Sequence, residues 1–220
     1  EALLRIHDKN GNFISPAEAI PILEESGLII PVGKWIIQNA FSMCTECRKY
    51  YPEFRVSINL SYVQILKSPL MMELKQIIDH SGISCSGIIV ELTESGYLEG
   101  TPAVRSVWND MKKLRIQIAL DDFGTGYSNL MNISNLEPDI VKLDRGFTLK
   151  ALSRSYEYQL MQYVIEMVHK LNQYVCVEGV ETKEDLEKIK ALGPDLIQGY
   201  YYSKPCSRDE FLKKFFGYSE

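Results

Sequence analysis

The sequence predicts an α/β protein with a mainly parallel sheet. Short apolar runs rich in Val and Ile alternate along the whole chain with longer segments of helical period, many with readable caps. The seven strand candidates fit a (β/α)8 TIM-like barrel whose first strand is missing from the given chain; an open doubly wound sheet is the alternative.

Each element has its own signal. Glu1–Arg5 (EALLR) reads as the end of a strand, so the chain is expected to be a fragment of a longer protein. Ser15-Pro16-Ala17-Glu18 opens a helix with a cap, a proline in the first turn and an acid at the third position, and Gly27 stops it. A helical pattern from Trp35 to Tyr50 carries Cys44 and Cys47. With no second Cys or His pair to complete a zinc site, these read as plain thiols on a helix. The strands that follow are Arg55–Leu60, Gly87–Leu92, Ile116–Asp121, Asp139–Asp144, Tyr174–Glu178 and Leu196–Tyr201. Their largely apolar character suits strands covered on both faces. Helices open at Thr101-Pro102, at Thr182-Lys183-Glu184-Asp185 and at Ser207-Arg208-Asp209-Glu210, and Gly193 is a stop. No linker-like or low-complexity stretch interrupts the pattern, so residues 1–220 are expected to form one domain.

Composition narrows the function. The 220 residues carry 24 Lys and Arg against 29 Asp and Glu, a net charge of −5. That balance argues against a nucleic-acid polymer as partner, since such binding needs a basic face. No run of 18 apolar residues and no signal-peptide pattern is seen in these residues; with five scattered cysteines this predicts a cytoplasmic domain without membrane contact, though a parent protein could be anchored.

The chemistry lies at the strand ends. In order, the C-terminal ends of the strand candidates carry Glu1, Asn59, Glu91, Asp121 with Asp122, Lys142 with Asp144, Glu178, and Gln198. A barrel gathers such positions into one ring, where active sites are built. So many carboxylates packed together would repel, and divalent cations are the natural remedy. Oxygen donors select hard ions such as Mg²⁺, Mn²⁺ or Ca²⁺. His7, His80 and His169 are too scattered in sequence to suggest a zinc hydrolase. Asp121-Asp122 is the densest feature: such a pair can bridge two metal ions, an arrangement suited to phosphodiester hydrolysis.

These residues resemble the EAL family of cyclic di-GMP phosphodiesterases. The resemblance runs from Glu1-Ala2-Leu3-Leu4-Arg5 through Asn59-Leu60-Ser61, Glu91-Leu92-Thr93-Glu94 and Asp121-Asp122-Phe123-Gly124-Thr125-Gly126-Tyr127-Ser128. It continues over Lys142-Leu143-Asp144-Arg145, Glu178-Gly179-Val180-Glu181-Thr182 and Gln198-Gly199-Tyr200-Tyr201. It departs at Ile6, where the family often has Trp, and at Val177, where a small residue is common. The resemblance implies a barrel with one antiparallel strand and metal-dependent hydrolysis of cyclic di-GMP to linear pGpG. It implies one metal on Glu1, Asn59, Glu91 and Asp121, and a second on Asp121, Asp122 and Glu178. Lys142 and Glu178 would activate the attacking water, with Glu178 the general base. Asp144, Glu181 and Gln198 would hold water around the metals, Arg5 would meet a phosphate, and Glu94 would brace the Asp122–Tyr127 loop. Mg²⁺ or Mn²⁺ would support turnover and Ca²⁺ would inhibit it. A homodimer is implied, with room upstream for a sensor or GGDEF domain. The competing functions are an EAL domain that binds cyclic di-GMP or a protein without cleaving, and an enolase-type lyase or isomerase, against which Asn59 and the doubled aspartate speak.

Overall fold

A computed structural model describes residues 1–93, 101–125, 133 and 136–217 of the chain. Two compact units emerge, one of Glu1–Glu91, Glu99–Gln117 and Arg208–Glu220, the other of Leu92–Leu98 and Ile118–Ser207.

The first unit begins with a segment lying parallel to a later strand: Ala2 bridges Ile58, and Ala2 N donates to Ser57 O at 2.9 Å. A small hairpin follows, β1 (Ile6–His7) antiparallel to β2 (Phe13–Ile14). Its turn is organised by Asp8, whose carboxylate accepts from Asn10 N, Asn12 N and Asn12 Nδ2. The Asn12 amide, above all, holds the Asp8 pKa below its ordinary value. Helix α1 (Pro16–Ser26) starts at Ser15, whose Oγ accepts from Ala17 N, and ends at Gly27 with φ 75°. Helix α2 (Ile29–Cys47) starts six residues before Trp35, because Pro31 falls in its first turn, where a missing N–H costs nothing. It packs Ile37, Phe41 and Cys44 inward, at helical spacing, and meets β3 (Val56–Asn59). The thiols at 44 and 47 are fully buried, and Cys44 Sγ donates weakly to the Phe54 and Gly87 carbonyls.

Helix α3 (Tyr62–Lys67) opens with a capping box, Ser61 to the backbone of Val63 and Gln64 back to Ser61 N. Helix α4 (Leu70–Ser81) packs on α2 and stops at Gly82. Strand β4 (Ile88–Thr93) pairs parallel with β3, placing Asn59 beside Glu91. Helix α5 (Pro102–Lys113) starts where expected, with Thr101 Oγ1 accepting from Val104 N. Near the C-terminus, α9 (Arg208–Phe216) completes this unit, with Phe211 and Phe216 against Phe54.

The second unit is a parallel sheet in chain order: β5 (Gln117–Phe123), β6 (Ile140–Leu143), β7 (Tyr174–Val177) and β8 (Leu196–Ile197). All four residues of β6 are buried, as expected for a strand covered on both faces. The connecting helices are α6 (Arg145–Ser153), α7 (Ser155–Lys170) and α8 (Lys183–Lys190). Met161, Ile165 and Val168 form the buried stripe of α7, which packs on β7. Each such side chain contributes about 1.5–3 kcal/mol of burial. Neither unit contains the reversal of strand order that marks a doubly wound sheet.

Two expected boundaries are corrected. The strand expected over Leu196–Tyr201 ends at Ile197, because the backbone turns at Gly199 and Tyr201 N donates to Val180 O at 3.0 Å. The helix α8 ends at Lys190, before Gly193, whose φ of 73° forms the turn that follows.

Candidate functional site

Within the first unit three of the expected donors stand at one level. The bridge at Ala2 sets Glu1 beside the end of β3, and Asn59 Nδ2 donates to Glu1 Oε1 at 2.7 Å. With its NH2 group turned to Glu1, Asn59 keeps its amide oxygen as a donor to a ligand. Glu91 is the register partner of Asn59 on β4 and is buried at 3 % exposure; its carbonyl accepts from Leu60 N. Arg5 is exposed. Its guanidinium donates to the Leu4 carbonyl and lies over the Phe13 ring at 5.9 Å.

Within the second unit the centre is Lys142. It is 3 % exposed, with Nζ 2.8 Å from Glu178 Oε1 and 3.2 Å from Asp121 Oδ1. A buried ammonium needs such partners, since leaving either sign unpaired in a dry site is costly. Asp144 caps α6, its Oδ1 accepting from Gly146 N and Phe147 N. Asp121 on β5 and Glu178 at the end of β7 come from the two strands that flank Lys142.

The backbone is irregular where the two adjacent aspartates stand. Leu120 pairs with Val141 and Phe123 with Leu143, so Asp121 and Asp122 together oppose the single step of Lys142. This is a β-bulge. Asp122 takes φ 60°, a left-handed conformation that Asp tolerates better than most residues. In a regular strand the two carboxylates would alternate between faces. Gly124 follows at φ 102°, where a side chain would meet Phe147.

Past β7, Glu178 N donates to Leu143 O at 3.1 Å and Gln198 N to Val177 O at 2.8 Å, so both residues continue the ladder. Glu181 pairs with Arg145, whose Nε and Nη2 both donate to Glu181 Oε1 at 3.2 and 2.8 Å. That pairing raises the Arg145 pKa above its ordinary value. Arg145 was quoted in the motif but given no role; only its position after the Asp144 cap, facing the turn at Gly179, reveals one. Glu94 and residues 126 and 127 of the Asp122–Tyr127 loop lie outside the described residues.

The donor chemistry fits a hard cation. Asp121 Oδ1 is buried and takes part in no hydrogen bond among the described residues, although Lys142 stands 3.2 Å away. Carboxylate and amide oxygens supply the remaining donor types. Among the described residues no three His, Cys, Asp or Glu side chains are already drawn together as a metal cluster; Asn59 is engaged with Glu1, and Asp121 and Glu178 with Lys142.

Comparison with known proteins agrees with the fold. The EAL domain model matches residues 1–205. The chain is similar to the cyclic di-GMP phosphodiesterase PdeF of Escherichia coli, 32% identical over 93% of this chain and 27% of PdeF. It is also similar to the bifunctional diguanylate cyclase/cyclic di-GMP phosphodiesterase MucR of Pseudomonas aeruginosa, 28% identical over 96% of this chain and 31% of MucR. It thus spans about a quarter to a third of the length of these relatives. Among solved structures, the EAL enzyme Bd1971 bound to cAMP and cyclic di-GMP superposes with a TM-score of 0.90 at 29% identity, over 96% of this chain and 58% of that one. The MucR phosphodiesterase in complex with cyclic di-GMP superposes at 0.87 and 26% identity, over 96% and 85%. The α/β fold, its parallel strands in chain order, is that of a partial TIM-like barrel, and the chain belongs to the EAL domain family.

Proposed function

We propose that this chain is a cyclic di-GMP phosphodiesterase that opens one phosphodiester of the ring to give linear pGpG. The observation that carries the reading is Lys142, buried between Asp121 and Glu178 at the ends of three parallel strands of an EAL domain. The named phosphodiesterases among its relatives support the substrate.

In this proposal Glu1, Asn59 and Glu91 of the first unit, and Asp121, Asp122 and Glu178 of the second, would supply the oxygen donors for divalent cations. Bound there, Mg²⁺ or Mn²⁺ would ease deprotonation of the attacking water and offset the charge that gathers on the phosphoryl oxygens. Glu178 would accept the proton of that water as the general base. Lys142 holds the Glu178 and Asp121 carboxylates in one place, so neither reorganises during attack. Arg5 would meet a substrate phosphate through its two-pronged guanidinium, and Gln198 would hold water.

The test is hydrolysis of cyclic di-GMP by this chain with Mg²⁺, Mn²⁺, Ca²⁺ or EDTA, following the linear product. Turnover is expected with Mg²⁺ or Mn²⁺ and not with Ca²⁺ or EDTA. Glu178→Gln, which keeps shape and removes the base, is expected to lower kcat by about 10²-fold or more. Tight binding of cyclic di-GMP without turnover in any metal would replace this reading with that of a receptor. The proposal includes a homodimer, which sedimentation of the same sample would reveal.

A further inference from the structure

We infer that Arg145 is a positioning residue that fixes the turn carrying Glu178; its link to catalysis rests on the phosphodiesterase reading above. Glu178 sits at the end of β7, and its carboxylate must stay 2.8 Å from Lys142. The chain then reverses through Gly179, at φ 79°, and reaches Glu181 before Thr182 caps α8. Backbone bonds hold this four-residue turn at Glu178 N, which donates to Leu143 O, and at Val180, whose N donates to Gln198 O at 3.2 Å and whose O accepts from Tyr201 N; Glu181 is held by the side chain of Arg145.

Arg145 acts through both its stem and its head. The backbone of Gly179 lies directly against the stem: a Cβ added there would fall 2.9 Å from Arg145 Cβ and collide with Cγ. The head then reaches past the glycine, with Nε and Nη2 both on one carboxylate oxygen of Glu181. The turn is thus clamped from the first residue of α6, whose start is itself fixed by the Asp144 cap. Arg145 and Glu181 are about half exposed, so the pair adds little to global stability. Its effect is local, on the direction in which Glu178 leaves the strand. Small misplacement of a reacting group is enough to cost rate. A lysine could supply charge but not the two-pronged reach.

The experiment combines amide exchange on the whole chain without substrate with steady-state kinetics in Mn²⁺. Arg145→Ala is expected to speed exchange at Gly179–Glu181 by about tenfold or more. Protection at Val175–Val177 and in α8 should stay unchanged, which shows the variant folded. Lys at 145 should fall between. The exchanged pair Arg145→Glu with Glu181→Arg should recover protection that either single change loses. In turnover, Arg145→Ala should lower kcat by about tenfold with KM within threefold, because the base is misaligned while the substrate contacts remain. Unchanged exchange at Gly179–Glu181 in a folded Arg145→Ala protein overturns the inference. So does a swapped pair no better protected than the singles, or an unchanged kcat in the presence of wild-type turnover. Absence of turnover in the wild type sinks the phosphodiesterase reading instead, while the exchange data still decide whether Arg145 holds the turn.

Discussion

Lys142 shows how one buried charge organises its neighbours. Its ammonium is withdrawn from water and faces two carboxylates, so the three groups are balanced only as a set. Lys142→Met keeps the volume and removes the charge. It is expected to cost about 3 kcal/mol, because two carboxylates then lose their shared partner. Adding Glu178→Gln should recover part of that loss, since one of the stranded charges goes with it. Urea unfolding of the two variants measures this; a single-variant loss under about 0.5 kcal/mol would mean that water already solvates both carboxylates. At this scale the sequence was informative about residue types and less so about partners. It gave Lys142 and Glu178 a shared task, while Arg145 carried no signal of its partner Glu181. Partners stay hidden because whether a carboxylate caps a helix or meets a charge depends on where the following helix starts.

At the scale of elements, punctuation carried most of the information. Ser15, Thr101 and Thr182 start helices as their caps indicate, and Gly27 ends one. Apolar runs located β3 to β7 to within about two residues. What stayed hidden depends on contacts distant in sequence. The β1–β2 hairpin is too short to show a period, and only Asp8 with its Asn partners marks its turn. The β5 bulge leaves no composition signal, because it is defined by pairing with β6. Strand β8 is cut short by a close approach of Gly199 to the backbone of Val180. Gly199 is needed there for space, so Gly199→Ala should destabilise by about 1–3 kcal/mol as the two segments are forced apart. A shift in the midpoint of thermal unfolding reads this directly, and an unchanged midpoint would show that the turn can yield.

For the molecule as a whole, the buried thiols give a measure of global opening. Burial pushes the Cys47 thiol up to about 11, and the neighbouring Cys44 is raised for the same reason. The folded state therefore holds these protons more tightly than the unfolded chain, where a thiol titrates near 9. The sign follows: their contribution is fully present below about pH 9 and is lost as pH rises towards 11. Denaturation at pH 8 and pH 10.5 should differ more in the wild type than in Cys47→Ala, and equal slopes would contradict the assignment. No helix among the described residues is long and apolar enough to cross a membrane. The bulge on β5 has a consequence at this largest scale. Because Leu120 and Phe123 pair in step with Val141 and Leu143 on either side of it, a chain lacking residue 122 could close into a regular strand with both flanking pairs intact. One codon lost there would discard one of the two carboxylates while both flanking pairs could still form, so under the proposed function an active scaffold and a silent descendant would stand a single deletion apart.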